Sequence, residues 1–443
     1  MLGEELKPIV RRLYDTALES ANPRNSVVRH VKRSGSILDV NGVRYNLEEY
    51  GNVYVVGAGK AVAGMANALE EILGGGLSGG CVSTSHGSGG GIGLNKIMLN
   101  EAGHPIPDDS GVNGARRILK LLQSTGEKDL VFYLASGGGS ALLTLPADGI
   151  SLHELQETTK LLLKSGASIG EVNAVRKHLD LVKGGQIARA VFPSTLISLV
   201  LSDVVGDHLD VISSGPTVPD SSTFRDAYEV LDKYGLLEEV PESVRGRIEA
   251  GVGGGVPETP KEGDPCFEKT VNVLVGGNRT AVDAMAEKAK ELGYDVIVLE
   301  EPVVGEAREA AREQARKAVK LAEGIGRPLF ILSGGETTVT IRGDGKGGRN
   351  QEYALAFALE LESLEFERFI CLSCSTDGVD NIREAAGAMV EGMSIKKARD
   401  CGLNPEQLLE DNDSYRFHKP LSTLIETGPT GTNVNDVQVM AVW

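Results

Sequence analysis

The sequence predicts an α/β fold of two domains, each layered around a largely parallel sheet. Three observations carry this expectation. Short apolar runs alternate with helical patterns along the whole chain, and several of those runs end in Gly, Ser or Asp clusters. One glycine- and proline-rich stretch with almost no apolar content, Gly251–Pro265, interrupts the alternation past the middle. It sets the expected boundaries: a first domain over 1–250, a linker over 251–265 and a second domain over 266–443.

The elements follow in order. Leu6, Ile9, Leu13 and Ala17 line one face of an N-terminal amphipathic helix, and the charges around them leave no room for a secretory signal. The segment 53–72 reads as a strand (VYVV), a bend at Gly57 and Gly59, and a helix with Val62, Met65, Leu69 and Ile72 at helical spacing. Further strands are expected at 130–135, 196–201, 271–275, 296–299, 329–332 and 369–372. The glycine patches at 73–80 and 86–91 read as mobile loop. Cys371 and Cys374 form a C-x-x-C, but residues three apart on a strand face opposite sides, so they are expected in the core and not on a shared metal.

The chain carries 45 basic against 62 acidic groups, a formal net charge of -17. Nucleic acid is a poor partner for that balance, and an anionic substrate needs a local cluster of positive groups. No run reaches the ~18 apolar residues of a membrane span. Five scattered cysteines agree with a reducing compartment, so a cytoplasmic location is expected.

In α/β sheets ligands bind beyond the carboxyl ends of strands, and that is where the unusual residues fall. Gly57 and Gly59 precede Lys60 at a helix start, where backbone N–H groups favour negative charge. The turn is either a pyrophosphate cradle or a device that aims an ammonium at a phosphate. Gly64 comes too late for a dinucleotide fingerprint, and the Walker A spacing is absent. In Ser136, Gly137, Gly138, Gly139 and Ser140, glycines admit close approach of backbone to a ligand and hydroxyls add donors. Asn173 and Arg176 share a helix face that could grip a carboxylate or phosphate. Asp203 leaves an apolar strand, placed to hold Mg²⁺ or accept a proton. Gly334, Gly335 and Glu336 read as a second post-strand turn. Arg349 and Asn350 follow a glycine-dense run at a helix mouth, where a guanidinium fork suits a transferring phosphoryl group. Asp377 and Asp380 could coordinate Mg²⁺, and Asn433 lies in a polar loop fit to line a cleft.

Ten blocks then occur in a fixed order: GAGKA (57–61), GHPIPD (103–108), SGGGSAL (136–142), EVNAVRKHL (171–179), LSDVVGD (201–207), SGPT (214–217), SGGE (333–336), GGRNQE (347–352), STDG (375–378) and GPTGTNVND (428–436). In these the chain resembles the glycerate 2-kinase family, which carries a MOFRL domain in its C-terminal half. The resemblance implies a Rossmann-like N-terminal domain, a MOFRL-type C-terminal domain and an active site in the cleft where the two close together. It implies phosphorylation of D-glycerate by ATP at the 2-hydroxyl, with Mg²⁺. Lys60 and Arg349 match the family's catalytic cations; Asp203 is expected beside them as base or metal ligand, and Asp377 as a metal ligand. The chain departs from the family at His208, where proline is expected, at Asp180, where serine is expected, and in the turn after Asp380. The expected partners are D-glycerate and ATP, with a homodimer as the assembly in view and neither nucleic acid nor membrane. The rival expectation is an NAD(P)-dependent hydroxypyruvate reductase, disfavoured by the late third glycine and the lack of a clear ribose-binding acid.

Overall fold

The computed structural model describes residues 2–443 and divides into two compact units: Pro23–Val275, and the residues up to Asn22 together with Gly276–Trp443. All seven expected strands form.

The Pro23–Val275 unit is built on a six-stranded sheet in the order Ile97–Ala102, Gly79–Ser85, Asn52–Ala58, Asp129–Ser136, Thr195–Leu201 and Thr270–Gly276. The first five strands pair in parallel. Every residue of the central Asp129–Ser136 strand is buried, as befits a parallel strand covered on both faces. One patch expected to be mobile loop belongs partly to this sheet. Gly80 sits in a strand position that only glycine fits, since a Cβ there would lie 2.0 Å from the Val55 carbonyl oxygen. The helices Leu152–Lys164, Ile169–His178, Phe224–Lys233 and Glu242–Val252 build a second apolar cluster around Leu162, Val175, Phe224 and Ile248.

The unit boundary differs from the expected linker. Gly251 lies inside a helix, packed so closely on Phe224 that a Cβ would come within 2.2 Å of its ring. Glu258 accepts from the Phe224 N–H at 2.9 Å, and the Thr259 hydroxyl donates to Asp220 at 2.9 Å. The proline- and glycine-rich stretch is thus bonded down onto the first unit, whose sheet claims the Thr270–Gly276 strand as well.

In the other unit the sheet runs Asp295–Val298, Leu329–Thr338, Asp436–Val442, Phe369–Ser375, Gly387–Glu391 and Leu424–Ile425, with Val303–Glu306 also on Leu329–Thr338. Only the pairings of Asp295–Val298 and Val303–Glu306 are parallel. The C-terminal strand, fully buried, returns through the middle antiparallel to both neighbours. The expectation of parallel pairing therefore describes the first sheet, and the second is mixed. Leu6, Val10, Leu13, Tyr14 and Ala17 bury one face of the Leu2–Ala21 helix, and the Tyr14 hydroxyl donates to the Ser375 carbonyl at 2.7 Å. Cys371 and Cys374 are buried free thiols on their strand. Among the described residues no helix is long and apolar enough to cross a membrane.

Candidate active site

The Gly57–Lys60 turn is packed, with little of it free. A Cβ on Gly57 would lie 2.2 Å from the Leu134 carbonyl oxygen, and one on Gly59 (φ +149°) 2.1 Å from the Ser136 hydroxyl. The N–H groups that would cradle a pyrophosphate are spent inside the protein. Gly59 donates to the Ser83 carbonyl at 3.0 Å, Lys60 to the Gly137 carbonyl at 2.9 Å, and Ala61 to the Ser136 hydroxyl at 3.0 Å. The structure thus gives Gly57, Gly59 and Ser136 a packing and bonding role in place of ligand contact. What the turn offers outward is the exposed Lys60 side chain.

That side chain reaches the second glycine segment. Gly138 is left-handed at φ +83°, and a Cβ there would lie 3.3 Å from Lys60 Cε and 2.9 Å from His104 Cδ2. One residue earlier, a Cβ on Gly137 would fall 1.9 Å from Asp203 Oδ2. Lys60, His104 and Asp203 therefore converge on the bare Cα atoms of Gly137 and Gly138. Gly139 makes room for Ser213, whose hydroxyl would lie 2.2 Å from an added Cβ and donates to the Ser136 carbonyl at 3.1 Å.

Polar side chains hold this segment from behind. The hydroxyls of Ser140 and Ser214 share a hydrogen bond of 2.7 Å, and Ser214 donates on to Asn173 Oδ1 at 3.3 Å. Arg176 Nη2 donates to the Ser140 carbonyl at 3.0 Å. Burial holds the Arg176 guanidinium below its ordinary pKa, against the pull of Asp180. Asp180 explains itself structurally: it accepts from the Val182 N–H at 3.0 Å and pairs with Lys183 at 3.1 Å. Lys183 donates to the Leu143 carbonyl at 2.7 Å, and burial brings its pKa down to about 8. The turn after Gly139–Leu142 is thus pinned by a buried ion pair, which costs roughly 3–5 kcal/mol to break by removing one partner.

The charges are tuned by the same packing. Burial pushes the Asp203 carboxyl above its usual range, opposed by its own backbone N–H and by Lys60. Burial, then the Lys60 charge, lowers His104 to about 4, so its imidazole is neutral at pH 7. His104, Ser213 and Ser214 were not singled out from the sequence as site residues. Their only signal was membership of the GHPIPD block for His104 and of the SGPT block for Ser214, which Ser213 directly precedes.

The candidates of the other unit form a separate cluster. Arg349 is held by Asp436 through Nε at 2.6 Å and Nη2 at 2.9 Å, and its Nη1 meets Glu336 at 2.9 Å. Burial lowers its pKa, and the bonds to Asp436 and the charge of Glu336 outweigh that and raise it. Two carboxylates thus neutralise the fork expected to face a phosphoryl group. Asp380 caps the Arg349–Ser363 helix, accepting from the N–H of Asn350 at 3.0 Å and of Gln351 at 2.9 Å; the side-chain amides of both residues bond it too. Its oxygens are spent on that cap, which corrects the expectation of a metal ligand. Asp377 Oδ1 accepts from the Ser375 hydroxyl and the Val379 N–H, both at 2.8 Å. Gly334 and Gly335 lie within a strand and not in a turn after one. Gly334 packs against Asn278, and a Cβ on Gly335 would meet the Val303 carbonyl oxygen at 2.2 Å. Asn433 Oδ1 accepts from the Asn435 N–H at 3.0 Å, closing its own loop. The glycine-dense 343–348 run owes its glycines to Asp411–Ser414: Cβ atoms on Gly343, Gly345 and Gly347 would come within 2.6, 2.4 and 2.1 Å of that segment. Among the described residues no group of three His, Cys, Asp or Glu side chains is arranged to hold a metal ion.

The two family models that match define the class: "Domain of unknown function (DUF4147)" over residues 9–249 and the MOFRL family over residues 329–436. A Pyrococcus horikoshii protein named glycerate 2-kinase is 42% identical, with 100% of this chain and 98% of the relative covered. A crystal structure of glycerate kinase from Thermotoga maritima matches with a TM-score of 0.87 at 40% identity, covering 99% of this chain and 100% of that one. An Agrobacterium vitis relative, 37% identical over 98% of this chain and 94% of its own length, bears the name putative hydroxypyruvate reductase. The chain belongs to the glycerate 2-kinase family.

Proposed function

We propose that this chain transfers the γ-phosphoryl group of ATP to the 2-hydroxyl of D-glycerate, giving 2-phosphoglycerate and ADP. The observation that carries the reading is the convergence of Lys60 and Asp203 on Gly137 and Gly138. Phosphoryl transfer asks a protein mainly for positioning and charge neutralisation. An exposed ammonium beside bare backbone provides both: the glycines let phosphate approach, and Lys60 meets its charge. Ser140 and Asn173 support the same segment, and Arg176, with one nitrogen on Ser140, offers the rest to the glycerate carboxylate. Arg349 and Asn350 keep their place in the proposal as residues of the other unit, with Arg349 becoming available as Asp436 or Glu336 releases it.

Asp203 fits Mg²⁺. Among the described residues its side chain has no hydrogen-bond donor besides its own backbone N–H, and Mg²⁺ favours one or two carboxylates completed by water and phosphate oxygens. Asp377 retains Oδ2 for the same use. When bound, the ion adds positive charge against the phosphates. The five free cysteines suit the cytoplasm, where ATP is held.

The relative named as a reductase favours a second reading, hydride transfer to hydroxypyruvate. The spent N–H groups of the Gly57–Ala61 turn oppose it, because they are the ones a dinucleotide would need. Phosphorus NMR of a reaction with D-glycerate, ATP and Mg²⁺ tests the proposal, with hydroxypyruvate and NADH in a parallel assay. A 2-phosphoglycerate resonance is expected. A 3-phosphoglycerate resonance, or NADH oxidation without phosphorylation, overturns it.

A further inference from the structure

His104 is set in place by its own loop. The Asp108 carboxylate accepts from the N–H groups of Gly103 and Gly111, the latter at 2.9 Å, and from His86 Nε2 at 2.8 Å. Gly103 is tucked so tightly that a Cβ would lie 2.6 Å from the Ile106 carbonyl oxygen. The wound loop presents the ring to Gly138, where an added Cβ would lie 3.1 Å from Nε2 and 3.3 Å from Lys60 Cε. Among the described residues neither ring nitrogen has a hydrogen-bond partner, and the residue is partly exposed. A partly exposed, unbonded imidazole held this firmly does nothing for the core.

We propose that His104 is a catalytic residue: its imidazole accepts the proton of the acceptor hydroxyl while Lys60 holds the charge of the transferring phosphoryl group. The proposal rests on the phosphotransfer reading above. The hydroxyl proton passes to Nε2, and the oxygen it leaves forms a bond to the γ-phosphorus. The bond from that phosphorus to the β-bridging oxygen breaks, and ADP departs with the electron pair. The imidazolium then returns its proton to solvent.

The surrounding charges suit this. Lys60 faces the ring from the Gly57–Lys60 turn, and Asp203 stands across Gly137. On the loop's own side, Asp108 is already paired with His86. The ring is neutral at neutral pH with a lone pair free, and it gains basicity as anionic phosphate offsets the Lys60 charge that lowers it. Asp203 is left to the cation.

His104→Gln and His104→Ala test the assignment in the full chain. The parent is assayed first with D-glycerate, ATP and Mg²⁺; if it forms no phosphoglycerate, the phosphotransfer reading fails before His104 is at issue. With an active parent, both variants are expected to lose about 100-fold or more in kcat, with KM for each substrate within about threefold. Added imidazole is expected to restore about tenfold to His104→Ala and nothing to the parent. A kcat within about threefold of the parent in either variant, or a loss that imidazole leaves untouched in a folded His104→Ala, overturns the role. Should His104→Ala not fold, the His104→Gln kcat and KM decide alone.

Discussion

Lys60 owes its position to glycines that let backbone segments pack closely. Gly59 lets the turn lie against Ser136, and Gly138 lets the ammonium stem lie over bare backbone. Replacing Lys60 with alanine is expected to lower turnover by about 10²–10³-fold, because a preorganised charge on the transferring group is lost. Lys60 is exposed, so the thermal midpoint should stay within about 2 °C by calorimetry. Gly137→Ala makes a subtler case. The new methyl would occupy the place of Asp203 Oδ2, 1.9 Å away, and displace the carboxylate. Steady-state kinetics should show turnover down about 100-fold, the scale of a misplaced catalytic group, with the fold retained by circular dichroism. The residue types of this site were legible in the sequence: lysine, glycine run and aspartate all stood just past strands, and Arg349 of the other unit at a helix start. Which N–H groups remained free was not legible, because that depends on Ser83, Ser136 and Gly137, brought together only by the sheet. The same holds for Arg349, whose neutralising partner Asp436 lies far along the chain.

The start of the Arg349–Ser363 helix joins two buried titrating groups through Gln351. Its N–H donates to Asp380, and its carbonyl accepts from His418 Nε2 at 2.9 Å. Burial lowers His418 from 6.5 to about 4, so between those values the unfolded chain binds more protons and stability is lost as pH falls. Burial pushes Asp380 up from 3.8 to about 6, so across that window the folded chain binds more protons and stability is lost as pH rises. The two slopes oppose each other. Urea unfolding followed from about pH 4 to 6.5 should show His418→Gln tilting the stability profile downward with rising pH, and Asp380→Asn tilting it upward. Parallel tilts would show that the two groups do not titrate in this way. At this scale apolar runs were legible, and all seven expected strands stand. Gly79–Ser85 was hidden by glycines that permit close packing on Val55, and the C-terminal strand by its place behind a polar loop.

The first helix belongs to the same unit as the last strand. Leu6, Val10, Leu13 and Tyr14 are at most 1% exposed, and Thr432 donates to the Ala21 carbonyl at 2.6 Å. Deleting residues 2–21 should therefore weaken Gly276–Trp443 and spare Pro23–Val275. Hydrogen exchange read by mass spectrometry is expected to show faster exchange in the Phe369–Ser375 and Asp436–Val442 strands and unchanged protection in Asp129–Ser136. Equal loss in both units would refute the separation. The amphipathic face of this helix was legible from its spacing. Its allegiance was not, since no local pattern tells a helix which of two sheets it will cover.

That allegiance has a consequence during synthesis. The helix is made ahead of the elements it packs against most, Asn278–Glu291, Phe369–Ser375 and Asp436–Val442, which are encoded beyond Val275, roughly 250 residues later. At cellular translation rates the delay is on the order of tens of seconds. Over that interval the nascent chain carries an apolar stripe without its native cover, while the residues of the Pro23–Val275 unit behind it are already complete.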